Sequence, residues 1–197
     1  QLNTNMPNSQ IKIDFKAWKY IDWPSIRVHV NGDLLEEKIL NDSKISMEIP
    51  LDLMDGDHLL EIGHFGKSSK NTLVDANDKI IKDTKFIIDR ITINGYELPL
   101  ELIKSCRFEA DWTQFHRPAG MPDVFKQSCI IGPNGFWHLP FVTPIDKWII
   151  DSRRQQRKEY KKTITYESYE PSTHSTVDYI LTEEDKKTIQ EIKELIG

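Results

Sequence analysis

Long apolar runs are missing from this sequence. No stretch approaches the roughly 20 residues that a membrane-crossing helix needs, so a membrane partner is not expected. An excess of positive charge is missing too. There are 26 Lys and Arg against 31 Asp and Glu, giving a net charge of -5. A surface that neutralises a phosphate backbone needs the opposite balance, so direct nucleic-acid binding is not expected. Cysteine is scarce. Cys106 and Cys129 cannot build a disulfide framework, and both stand beside apolar residues, where a thiol behaves as a small hydrophobe. Buried free thiols fit folding in a reducing compartment.

Catalytic and cofactor signatures are also lacking. Six histidines occur, but none at H-x-x-x-H or H-E-x-x-H spacing, and no G-x-S-x-G elbow appears. The stretch GHFGKSSKN, residues 63–71, comes nearest to a phosphate-binding loop. Such a loop reads G-x-x-x-x-G-K-[ST] between a strand and a helix. Here Gly63 and Gly66 stand two residues too close, and no helical stripe follows. The segment DANDKIIKD offers Asp75, Asn77, Asp78 and Asp83 as oxygen ligands, yet it lacks the glycine and closing glutamate of a calcium loop. It reads as a turn. No enzyme activity, cofactor or metal is expected.

What the sequence does contain is alternation. In QIKIDFKAW, Ile11, Ile13, Phe15 and Ala17 share one face, while Lys12, Asp14 and Lys16 share the other. The pattern recurs in SIRVHV, KISMEIP, DHLLEIGHF, KFIIDRITI and GFWHLPF. Asn-Gly pairs at 31–32, 94–95 and 134–135 each signal a tight hairpin. Residues 10–150 are therefore expected to form a mainly β domain, an antiparallel β-sandwich of jelly-roll-like form. Its core should contain Ile13, Phe15, Val28, Ile49, Ile62 and Ile93. Residues 1–9 read as a polar arm.

Beyond Pro144 the character changes. Ile145, Trp148 and Ile149 stand at helical spacing and open a short helix, followed by a basic run from Arg153 to Lys162. Residues 151–197 read as a C-terminal arm ending in a helix over 182–197. Thr182 is its N-cap, and acidic residues fill its first turn. Ile189, Ile192, Leu195 and Ile196 form a narrow apolar stripe. A helix this short is marginal alone, so the stripe is expected to dock on a partner chain.

Trp18, Tyr20 and Trp23 cluster around the end of the first strand and form a candidate platform for stacking on sugar rings. With the strands placed, IRVHVNGDLL, DGDHLLEIGHFGKSSKNTLVD, IIKDTKFIIDRITINGYEL and GPNGFWHLPFVTPIDKWII resemble small β-sandwich proteins from the virions of tailed phages. The likeness is greatest to contractile-tailed phages of cyanobacteria. Those proteins in turn resemble carbohydrate-binding modules of jelly-roll form. The resemblance implies a non-enzymatic structural protein of the virion, in the tail, neck or capsid, oligomeric within an assembly and partnered by other virion subunits. The alternative it implies is a carbohydrate-binding module that attaches to host surface glycans.

Overall fold

The structure, a computed structural model, describes residues 10–114, 117–118 and 120–166, with side chains described as far as residue 155. In chain order the strands are β1 (Gln10–Trp18), β2 (Ser25–Val30), β3 (Asp33–Ile39), β4 (Lys44–Pro50), β5 (Gly56–Phe65), β6 (Thr72–Val74), β7 (Ile80–Asp83), β8 (Lys85–Ile93) and β9 (Tyr96–Glu97). A short helix α1 (Leu100–Ser105) precedes β10 (Arg107–Asp111), β11 (Val124–Phe125), β12 (Ile130–Ile131) and β13 (Asn134–Thr143). The helix α2 (Ile145–Tyr166) follows.

Two antiparallel sheets form the sandwich. One carries the order β12-β8-β1-β4, with β9 added on β8; the other runs β11-β10-β13-β5-β2-β3. A separate ribbon pairs β6 with β7. Alternation decides which residues meet between the sheets. From the first sheet come Ile11, Ile13, Phe15, Met47, Ile49, Phe86, Ile88, Ile91 and Ile93, all buried. Ile26, Val28, Leu60, Ile62, Phe108, Trp137, Leu139 and Phe141 answer from the second. Every core residue expected from the sequence is buried. His64 of the second sheet meets Phe86 of the first edge-on, with ring centroids 5.4 Å apart.

Two of the three Asn-Gly pairs are hairpin turns. Asn31 and Gly32 have φ of 54° and 87°, Asn94 and Gly95 51° and 81°. These are the left-handed angles that a two-residue hairpin requires. The third pair corrects the sequence reading. Asn134 and Gly135 lie inside β13, not in a turn. Gly135 has φ of 137°, and a Cβ placed on it would stand 2.0 Å from the Glu109 carbonyl oxygen of β10. The glycine is there so that two backbones can touch. Gly135→Ala is therefore expected to cost roughly 1–3 kcal/mol or more through overpacking against backbone that cannot yield. Thermal melting checks this; an unchanged melting temperature would contradict the close approach.

The helix after Pro144 is longer than expected, 22 residues. Ile145 and Ile149 bury their side chains and Trp148 packs beside them, as their spacing implies. The helix continues because residues 150–166 hold no Pro or Gly and are rich in Arg, Lys, Gln and Glu, all good helix formers. The basic run thus lies on a helix, and residues 163–166 are helical too. The chain divides into two units between Arg157 and Lys158. The helix expected over 182–197, with Ile189, Ile192, Leu195 and Ile196, lies outside the described residues.

Candidate functional site

The Gly-Lys-Ser stretch is a structural knot. Gly66 takes φ of 73° at the end of β5 and turns the chain so that Lys67 points inward. Its ammonium donates to the Asp83 carboxylate, to the Thr84 carbonyl at 3.0 Å and to the Gly132 carbonyl at 2.8 Å. Asp83 also accepts the Thr72 hydroxyl at 2.6 Å. Asn134 grips the Lys67 backbone on both sides: its Oδ1 accepts from the Lys67 amide at 3.0 Å, and its Nδ2 donates to the Lys67 carbonyl at 2.9 Å. Burial pushes the Lys67 ammonium below its ordinary value, and Asp83 opposes that shift. The loop continues into a single 3-10 turn, Ser69–Asn71, not an α-helix. An ammonium committed to three buried acceptors is not available to a phosphate. The motif ties the loop after β5 to β7 and to the start of β13.

That knot fixes one end of a cleft of about 590 Å³ on the outer face of the six-stranded sheet. Strand register explains its floor. Glu109, Phe136, Gly63, Arg27 and Glu37 stand in one row across five strands, from β10 to β3. Arg107, His138, Glu61 and His29 form the next row. Gly63 has no side chain, and the Phe136 ring lies over it; a Cβ there would stand 2.6 Å from Phe136 Cε1. Phe136 keeps 38% of its surface exposed. His29 meets the Phe136 ring edge-on at 5.6 Å.

Polar groups surround this ring. His138 is 11% exposed and stands between two carboxylates, with Nδ1 3.2 Å from Glu61 Oε1 and Nε2 3.7 Å from Glu109 Oε2. Neither approach is a hydrogen bond, and the second is too long for one. Glu109 also pairs with Arg107 at 3.1 Å. Asp111 accepts from the Thr113 hydroxyl at 2.6 Å and amide at 2.9 Å, which holds its carboxyl below the usual range. On the far side Arg27 lies 4.1 Å from the centre of the Phe65 ring and pairs with Glu37 at 2.8 Å. The result is one apolar ring face bordered by hydrogen-bond acceptors and a guanidinium.

The three aromatic residues expected to stack on sugars are placed along the segment that crosses from the first sheet to the second. Among the described residues no ring-to-ring contact joins them. Each lies instead near a lysine ammonium: Trp18 at 5.8 Å from Lys85, Tyr20 at 5.8 Å from Lys82 and Trp23 at 5.9 Å from Lys19. Trp18 stands opposite Lys85 on the outer face of the first sheet, and Trp23 packs partly against the core. The acidic loop is a turn: the Asp75 carboxylate accepts from the amides of Asn77 at 2.8 Å and Lys79 at 3.0 Å, while Asp83 belongs to the knot. Both cysteines are free, and burial pushes the Cys106 thiol up to about 12. It is accordingly unreactive at neutral pH.

No protein-family model and no curated protein matches this sequence. Two solved structures are similar in fold. One is described as vCBM60 in complex with galactobiose. It has a TM-score of 0.44 at 12% identity, covering 66% of this chain and 96% of that one. The other is a selenomethionine form of vCBM60, described under a circular-permutation link between two families of calcium-dependent carbohydrate-binding modules. Its TM-score is 0.41 at 12% identity, with 66% and 89% covered.

Proposed function

We propose that the protein recognises glycans, without turning them over, through the cleft centred on Phe136. One observation carries this reading. A partly exposed aromatic ring lies over a glycine on a sheet face, with Glu61, Glu109, Asp111, His138 and Arg27 around it. A pyranose has an apolar C–H face and an equatorial fringe of hydroxyls. The ring takes the first, and the carboxylates and guanidinium take the second. The competing reading is a solvated sheet face on which Phe136 simply covers its cross-strand partner Gly63, and such a face would bind no sugar.

The test is binding to an array of neutral and charged glycans, followed by calorimetry on the best ligand. Phe136→Ala is expected to weaken binding at least tenfold, as the loss of stacking and burial worth about 1.5 kcal/mol implies. Trp18→Ala and Tyr20→Ala should leave affinity unchanged. Full affinity in Phe136→Ala, or loss confined to Trp18→Ala and Tyr20→Ala, would move the site to the platform read from the sequence. A role in a virion, alongside other virion subunits, is a separate proposal that rests on the sequence resemblance alone. It is compatible with glycan recognition, since attachment to a host surface needs both.

A further inference from the structure

The Phe136 cleft does not end at Phe65. A second cavity of about 370 Å³ lies against Trp23, Lys19 and Ser25, and it shares His64, Phe65 and Gly66 with the first. The two adjoin there and together outline a groove. The register gives its course. Phe136 stands opposite Gly63, Phe65 is two residues further along β5, Ser25 stands opposite Phe65, and Trp23 is two residues beyond Ser25 in the same direction. Two strand steps and four residues of rise put the Trp23 and Phe136 positions roughly 17 Å apart along a diagonal. Midway, Arg27 covers the Phe65 ring, so the floor there is a hydrogen-bond donor between two aromatic ends.

We infer that this groove binds the interior of a polysaccharide chain, several sugar units at once, with subsites at Phe136 and at Trp23. The inference rests on glycan recognition at the Phe136 cleft. The register puts the Phe136 and Trp23 positions on either side of Phe65, too far apart for one sugar unit to reach both. Glu61, Glu109 and Asp111 line the Phe136 end, and the guanidinium between the two aromatic ends, Arg27, is already paired with Glu37, as Arg107 is with Glu109. The chain it suits is accordingly neutral; a uronate or sulfate would meet like charge. The Trp23 end contributes its indole and the Lys19 ammonium beside it.

The experiment measures calorimetric affinity for cello-, xylo- and manno-oligosaccharides from disaccharide to hexasaccharide, on the whole protein. Affinity should rise with length, and Trp23→Ala should remove roughly tenfold of that rise while leaving the disaccharide unaffected. Trp23 packs partly on the core, so Ser25→Trp serves as a second variant. It fills the second cavity from an outward-facing position and should likewise abolish the gain with length. Phe136→Ala should weaken every length. A disaccharide bound as tightly as the hexasaccharide, or a length gain untouched in both Trp23→Ala and Ser25→Trp, overturns the extended groove while leaving the Phe136 site standing. Binding to none of the sugars overturns both.

Discussion

Lys67→Met is expected to lower the stability of the sandwich by about 3–5 kcal/mol, the usual cost of removing one partner from a buried ion pair. Lys67 is 2% exposed and Asp83 8%, so water cannot take over for the missing ammonium. The variant leaves a carboxylate with the Thr72 hydroxyl but no cation, and it removes the donor from the Thr84 and Gly132 carbonyls. Each of those is a polar group stranded in a low-dielectric interior. The pair's own attraction is largely offset by its desolvation, so Lys67→Met with Asp83→Leu should recover much of the loss. Urea unfolding of the two single variants and the double variant forms the cycle. If Lys67→Met melts within about 0.5 kcal/mol of the parent, the range of a neutral surface change, the knot is not holding the fold.

Stability should also fall steeply as the solution is acidified, because of His64. Burial pushes its imidazole from 6.5 down to about 3, and the neighbouring Lys67 charge adds to the effect. The ring is held neutral, with Nδ1 donating to the Pro133 carbonyl at 3.1 Å. The unfolded chain binds a proton at this position near pH 6.5, and the folded chain does not until about pH 3. Between those values the unfolded state carries more protons, so stability is complete above the upper value and lost as pH falls through the window. At about 1.4 kcal/mol for each pH step, the loss between about pH 7 and about pH 4 is about 3 kcal/mol. His64→Asn keeps a donor for Pro133 without the titration. Its unfolding free energy should therefore vary less with pH than the parent's by about that amount. Parallel curves for the two proteins would contradict the assignment.

The sequence made the sheets legible because alternation is local. Ile11, Ile13, Phe15 and Ala17 announce their shared face within eight residues, and the same holds for Ile26, Val28 and Val30. Turn chemistry was legible only where it was local. Asn31-Gly32 and Asn94-Gly95 are turns, yet the identical pair at 134–135 is strand. There Asn134 is spent on the backbone of Lys67, and Gly135 makes room for Glu109. Both partners are remote in the chain, and nothing in the dipeptide reveals them. The cleft was hidden for the same reason. The bare floor exists because Gly63 pairs with Phe136, a register that no short window contains. Half a signal was present: in NGFWHLPF, Phe136 and His138 take the face where a solvated strand places polar residues, and an aromatic ring there is out of pattern. Trp18, Tyr20 and Trp23 are close in sequence but not in role. The fold sends Trp18 to the outer face of one sheet and Trp23 to the groove beside the other. The helix after Pro144 ran further than expected because a basic run without Pro or Gly resembles a solvated connector and a helix equally.

Amide chemical-shift mapping tests the central claim most directly. The isotope-labelled protein would be titrated with the neutral oligosaccharide that binds best. Glycan recognition at the Phe136 cleft predicts that the largest shifts fall on residues 61–66, 107–111 and 134–138, with Trp23 and Ser25 joining only for longer chains. Shifts centred on Trp18 and Tyr20, shifts spread over the outer face of the first sheet, or no saturable shifts at all would contradict it.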